Sequence, residues 1–68
     1  MPGELNQRYA RDRQLFVDAQ ARGDIPPGCV LHMRLKDSSP LFAYWPKQPR
    51  GDRYYIDPEG NVEFEQKD

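Results

Sequence analysis

The spacing of apolar residues changes character along the chain. From Glu4 to Arg22 there is no Pro or Gly. At the helical angle of about 100° per residue, Leu5, Tyr9, Phe16 and Ala19 fall within about 40° of one line, with Leu15 flanking it. Pro2-Gly3 precede this stretch, and Gly23 and Pro26-Pro27 follow it, so the pattern predicts an amphipathic helix over residues 4–22. Glu4/Arg8 and Asp18/Arg22 are acid-first pairs four apart that support its exposed turns. Asp12 interrupts the stripe. It implies either a salt bridge to Arg8 or Arg13 at the stripe's edge, or a part of the stripe that faces a partner.

Beyond Pro-Pro-Gly the period becomes two. Cys29, Leu31, Met33 and Leu35 alternate with Val30, His32, Arg34 and Lys36, which predicts a half-buried strand over 29–36. Asp37-Ser38-Ser39-Pro40 is turn material, and 41–45 (Leu-Phe-Ala-Tyr-Trp) is a second strand, apolar on both faces. Residues 46–52 read as a stiff, exposed basic loop, because Pro46 and Pro49 favour extended backbone. Asp57-Pro58-Glu59-Gly60-Asn61 carries the chemistry of a three-residue hairpin loop, with Asp opening the turn, Pro presetting φ and Gly at the left-handed position. Strands over 53–57 and 61–65 follow. Pairing Asp57 with Asn61 sets Ile56 opposite Val62 and Tyr54 opposite Phe64, leaving Tyr55, Glu63 and Glu65 on the other, polar face. The expected architecture is α+β: one N-terminal amphipathic helix packed on a small antiparallel meander of three to four strands, with a partly closed barrel as the alternative topology.

Size limits what such a fold can do. Its 68 residues, 37% apolar, allow one small domain spanning 1–68, and a single Cys leaves no internal disulfide to reinforce it. The start has no basic region followed by an apolar core, and no apolar run exceeds five residues, so a cytoplasmic chain with no membrane association is expected. The formal charge of −1 gives no overall field for nucleic acid. It hides a gradient: residues 1–28 are neutral, 29–56 carry +3, and 57–68 carry −4.

Candidate chemistry is sparse. Cys29 and His32, three apart on a strand, project to opposite faces and cannot form a nucleophile–base pair; Cys29 reads as a buried thiol and His32 as a surface side chain or a pH switch. A four-ligand zinc site needs more Cys and His than the two present. Glu63 and Glu65 share a solvated face, which gives no reason for acid–base function. No Gly-rich loop opens a helix after a strand, and Arg50-Gly51-Asp52 reads as an ordinary polar loop rather than an integrin ligand. No catalytic, metal or cofactor residue is therefore assigned.

The basic segment also holds Phe42, Tyr44, Trp45, Tyr54 and Tyr55. A core this small needs most of these rings, yet aromatic and Arg side chains also anchor protein interfaces. The expected function is a non-enzymatic protein-interaction module whose partner-binding residues are Trp45, Lys47, Arg50, Arg53 and Tyr55. The alternative is a single-stranded RNA or DNA binder using the same residues, opposed by the acidic end. The charged helix ELNQRYARDRQLFVDAQARGD and the turn-rich segment LFAYWPKQPRGDRYYIDPEGNVEFE resemble small bacteriophage proteins that bind host RNA polymerase. That resemblance implies a regulator of transcription that acts by protein contact, has no active site, and inhibits initiation by interfering with σ factor or alters termination. It leaves the oligomeric state open.

Overall fold

Helix α1 spans Glu4–Arg22 and buries one stripe. Phe16 and Ala19 are buried and Leu15 is half-buried, while Tyr9, near the far end of the stripe, stays 39% exposed. The computed structural model describes residues 4–34, 36 and 38–67, with side chains from Gln7 onward. The expected parts played by the side chains of Glu4 and Leu5, and by Leu35 and Asp37, lie outside the described residues. The helix ends in a Schellman cap. With Gly23 at φ 88°, its N–H reaches Gln20 O at 3.1 Å and the next N–H, of Asp24, reaches Ala19 O at 2.9 Å. The following Ile25 is fully buried. The expected Asp18/Arg22 pair gives way to the cap: Gln14 Nε2 donates to Asp18, and Arg22 bonds Asp24 and the Gly60 carbonyl, each at 2.9 Å.

Four strands form one antiparallel meander in the order β1-β2-β3-β4: β1 Val30–Leu31, β2 Leu41–Tyr44, β3 Arg53–Ile56 and β4 Val62–Glu65. The sheet is open, so the barrel alternative does not apply. The hairpin register is the expected one, Ile56↔Val62 and Tyr54↔Phe64. Asp57 closes the turn: Oδ1 accepts from the N–H groups of Glu59 and Asn61 at 2.9 and 2.8 Å, and Gly60 adopts φ 91°.

The first strand is much shorter than the expected 29–36. Among the described residues only Val30↔Tyr44 and Leu31↔Ala43 pair, with one further bond from His32 N to Phe42 O at 2.9 Å. That bond makes His32 and Phe42 a hydrogen-bonded pair, so the next such pair would set Arg34 against Pro40. No return bond runs from Phe42 N to His32 O, so the ladder already ends at this pair, and Pro40, with no N–H to give, does not resume it. Past that point Met33 is 54% exposed.

Leu41, Ala43 and Ile56 project from one sheet face toward α1 and join Phe16, Ala19, Ile25 and Cys29 in the core, with Leu15, Leu31, Trp45, Tyr54 and Val62 packed around it. Asp12 lies inside this layer, 3% exposed. Its carboxylate accepts two hydrogen bonds from Arg34, Nη2 at 2.7 Å and Nε at 2.8 Å. The charge within the stripe is thus neither at the stripe's edge nor turned toward a partner. It is satisfied by a base 22 positions away that the alternation had assigned to the solvated face of the first strand.

Candidate interaction surface

Strand alternation sends every second side chain to the face opposite α1. These are Val30 and His32 from β1 and its extension, Phe42 and Tyr44 from β2, Arg53 and Tyr55 from β3, and Glu63 and Glu65 from β4. Cross-strand pairing sets Phe42 beside Tyr55, Tyr44 beside Arg53, Tyr55 beside Glu63 and Arg53 beside Glu65.

Phe42 is the hub of this face. The His32 ring stacks on it, centroids 4.4 Å apart and 9° from parallel, and Cζ of Arg53 sits 4.5 Å from its centroid. Tyr55 and Tyr44 lie at 5.6 and 6.0 Å in tilted geometry. Among the described residues no second layer covers Phe42, yet these neighbours leave it only 9% exposed. The Arg53 Nε is buried, with no hydrogen-bond partner among the described residues. The acids on the same face complement the base. Lys67, whose Nζ lies 2.9 Å from Glu65 Oε1, holds the Glu65 carboxyl below the usual range, and the nearby Arg53 charge and the Tyr55 hydroxyl act in the same direction.

Beyond the ends of β2 and β3 the chain makes two consecutive tight turns rather than an extended loop. Gln48 N donates to Trp45 O at 2.9 Å and Gly51 N donates to Gln48 O at 2.8 Å. Pro46 and Pro49 each take the second turn position, where a fixed φ is already correct. Lys47 and Arg50 therefore hold equivalent, exposed places three residues apart. Asp52 ties this end to the C-terminal segment by accepting from Lys67 N at 2.9 Å.

The five expected anchors separate into three groups. Arg53 and Tyr55 lie on the open sheet face, and Lys47 and Arg50 are exposed on the turns. Trp45 is on the covered side, half-buried against the core and packed on Gly28, where a Cβ would come within 2.6 Å of the indole. The surface also includes His32 and Phe42, which the expected anchor set left out. Their signal was the apolar character of β2 on both sides together with the β1–β2 register.

Cys29 and His32 do fall on opposite sides of the sheet. The thiol sits in the core, where burial pushes its pKa up, while the imidazole rests on Phe42. A raised thiol pKa works against a nucleophile. Among the described residues no three His, Cys, Asp or Glu side chains gather to hold a metal, and no helix is long and apolar enough to cross a membrane. No protein family, curated protein or solved structure matches the chain.

Proposed function

We propose that this chain is a non-enzymatic protein-interaction module that docks on a larger protein through the open sheet face and the adjoining basic turns. The observation that carries this reading is the Phe42 hub. An aromatic cluster capped by His32 and Arg53 stands on a sheet face that no layer of the described residues covers. Rigid rings and an arginine held in place by its neighbours are the groups that lose least freedom when a partner arrives.

The same geometry gives less support to single-stranded nucleic acid. Phe42 is already engaged by His32 and Arg53, so a base could stack on it only by displacing one of them. Glu63 and Glu65 share the face and would meet a phosphate chain with like charge. For the partner we propose bacterial RNA polymerase, in keeping with the phage regulators that the sequence resembles.

The test is titration of the labelled chain against purified bacterial RNA polymerase, alongside run-off transcription. Expected are saturable binding, reduced transcription and a loss of affinity of about tenfold or more in an Arg50→Glu, Arg53→Glu variant. Absence of binding removes the polymerase as partner, and wild-type affinity in the variant moves the site elsewhere. Salt-dependent binding to a short oligonucleotide at about 50 mM salt would favour the nucleic-acid alternative.

A further inference from the structure

Among the described residues, strand β4 pairs with β3 on one side and with no strand on the other. The Asp57 N to Asn61 O bond makes these residues a hydrogen-bonded pair, and the ladder alternates from there. Glu63 and Glu65 thus turn their backbone groups toward β3, and Val62 and Phe64 turn theirs outward. The His32–Phe42 bond two strands away gives the same phase, since it sends the Phe42 backbone toward β1 and leaves Tyr55 and Arg53 to bond β4. Among the described residues no group bonds the outward N–H or C=O of Val62 or Phe64.

The side chains of this edge are sorted by charge. Glu63 and Glu65 stand on the open sheet face, Glu63 exposed and Glu65 with Lys67 Nζ 2.9 Å from its carboxylate. Val62 and Phe64 stand on the helix side, where α1 does not reach Phe64, which is 50% exposed. Beside it lies an open depression of about 540 Å³ lined by Tyr54, Val62 and Phe64 together with the polar side chains of Arg22, Asp24, Glu59 and Asn61. Edge strands protect themselves with Pro, bulges or charges that block pairing. β4 has neither Pro nor a bulge within its paired residues; its protection is its two acids, which repel an acidic strand but not a basic one.

We propose that the β4 edge accepts an extended segment of a protein partner as a fifth strand, and that this segment alternates Lys or Arg with apolar residues. The basic side chains stand opposite Glu63 and Glu65, and an apolar one packs on the exposed ring of Phe64. The same acids turn away a second copy of this chain, because antiparallel self-pairing centred on Phe64 sets Glu63 of each copy against Glu65 of the other. This inference rests on the protein-interaction reading and adds the chemistry of what is taken and where.

The probes are two blocked decapeptides, one alternating Val with Lys and the other Val with Glu, added to the 15N-labelled chain at low salt. Expected is slowed amide exchange at Val62 and Phe64 with the Lys peptide. Its affinity should exceed that of the Glu peptide by about tenfold or more, because two favourable cross-strand pairs replace two repulsive ones. In a Glu63→Lys, Glu65→Lys variant the preference should reverse. Equal affinity for both peptides, or exchange unchanged at Val62 and Phe64, overturns the inference. If exchange at the edge is unchanged while a protein partner still perturbs Arg53 and Tyr55, the edge inference fails and the module reading stands. If neither surface responds to any protein or peptide, both fail.

Discussion

The two faces of the sheet bury their central residues by different means. On the covered face Leu41, Ala43 and Ile56 are closed off by a helix, which brings Phe16 and Ala19 down on them. On the other face Phe42 reaches a similar degree of burial through His32, Arg53 and Tyr55, side chains that themselves remain in contact with water. A layer of backbone fixes the fold, since it cannot leave without unfolding. A layer of side chains is removable, and a partner can exchange its own groups for them at small cost to the fold. The difference also governs charge. Asp12, under the helix, takes both of its hydrogen bonds from a single arginine that is itself largely buried. Glu65, on the open face, shares its charge with Lys67, Arg53 and Tyr55.

That contrast is most sharply tested by removing the ion pair under the helix. Arg34→Ala leaves the Asp12 carboxylate buried and uncompensated, at an expected loss of about 3–5 kcal/mol, enough to abolish a cooperative denaturant transition in a domain this small. Replacing both partners, Asp12→Leu with Arg34→Met, should restore the transition, because an apolar pair of similar size avoids the desolvation penalty. A double variant as unstable as the single one would show that Arg34 acts through something other than Asp12.

Next in size is the comparison of two phenylalanines. Phe16→Ala opens a cavity between helix and sheet and should cost about 3–5 kcal/mol, whereas Phe42→Ala should cost about 1–2 kcal/mol because His32 and Tyr55 can settle into the vacated space. Urea denaturation of both variants measures this directly. Equal losses would mean that the open face is as structural as the covered one. Smaller again is Arg53→Gln, expected to remove about 0.5–1 kcal/mol of cation–π interaction while weakening partner binding much more, a ratio read by pairing denaturation with affinity measurements.

Acid should reveal the smallest effect. Hydrogen bonds from the Asn61 backbone, then from the Asn61 side chain and the Glu59 and Gly60 backbone, hold the Asp57 carboxyl below its ordinary value of 3.8. A carboxyl depressed in the folded state stabilises fully above that ordinary value, and its contribution disappears as pH falls through the lower folded value. Amide exchange at Asn61, corrected for its intrinsic pH dependence, should accelerate below about pH 4 in the wild type. In Asp57→Asn, which keeps an acceptor but no charge, this acid-dependent step should vanish.

The legible parts of the sequence were those decided by neighbours in the chain. The hairpin register follows from Asp57, Pro58 and Gly60 within five residues, and with it the placement of Tyr55, Glu63 and Glu65 on one face. The helix follows from its own periodicity and from the cap at Gly23. The length of β1 was not legible, because alternation continues through Arg34 and Lys36 while the pairing stops at His32, two positions short of Pro40, which has no N–H to extend it. Nor was the partner of Asp12, since nothing near Arg34 marks it as turned inward. For the candidate surface, Arg53 and Tyr55 could be placed from the hairpin. Trp45 could not, because its side depends on Ala43 facing the helix, a fact of the β1–β2–β3 packing rather than of the loop that follows.

The position of Trp45 has a practical consequence. It is the only tryptophan in the chain, and its indole lies across Gly28 on the covered side of the sheet. Its emission reports on the contact between the Pro-Pro-Gly segment and the sheet, away from the Phe42 cluster. Excited at the indole band, the protein supplies its own probe of integrity: a ligand seated on the open face should leave that spectrum unaltered, and a variant that loosens the seam between helix and sheet should shift it to the red.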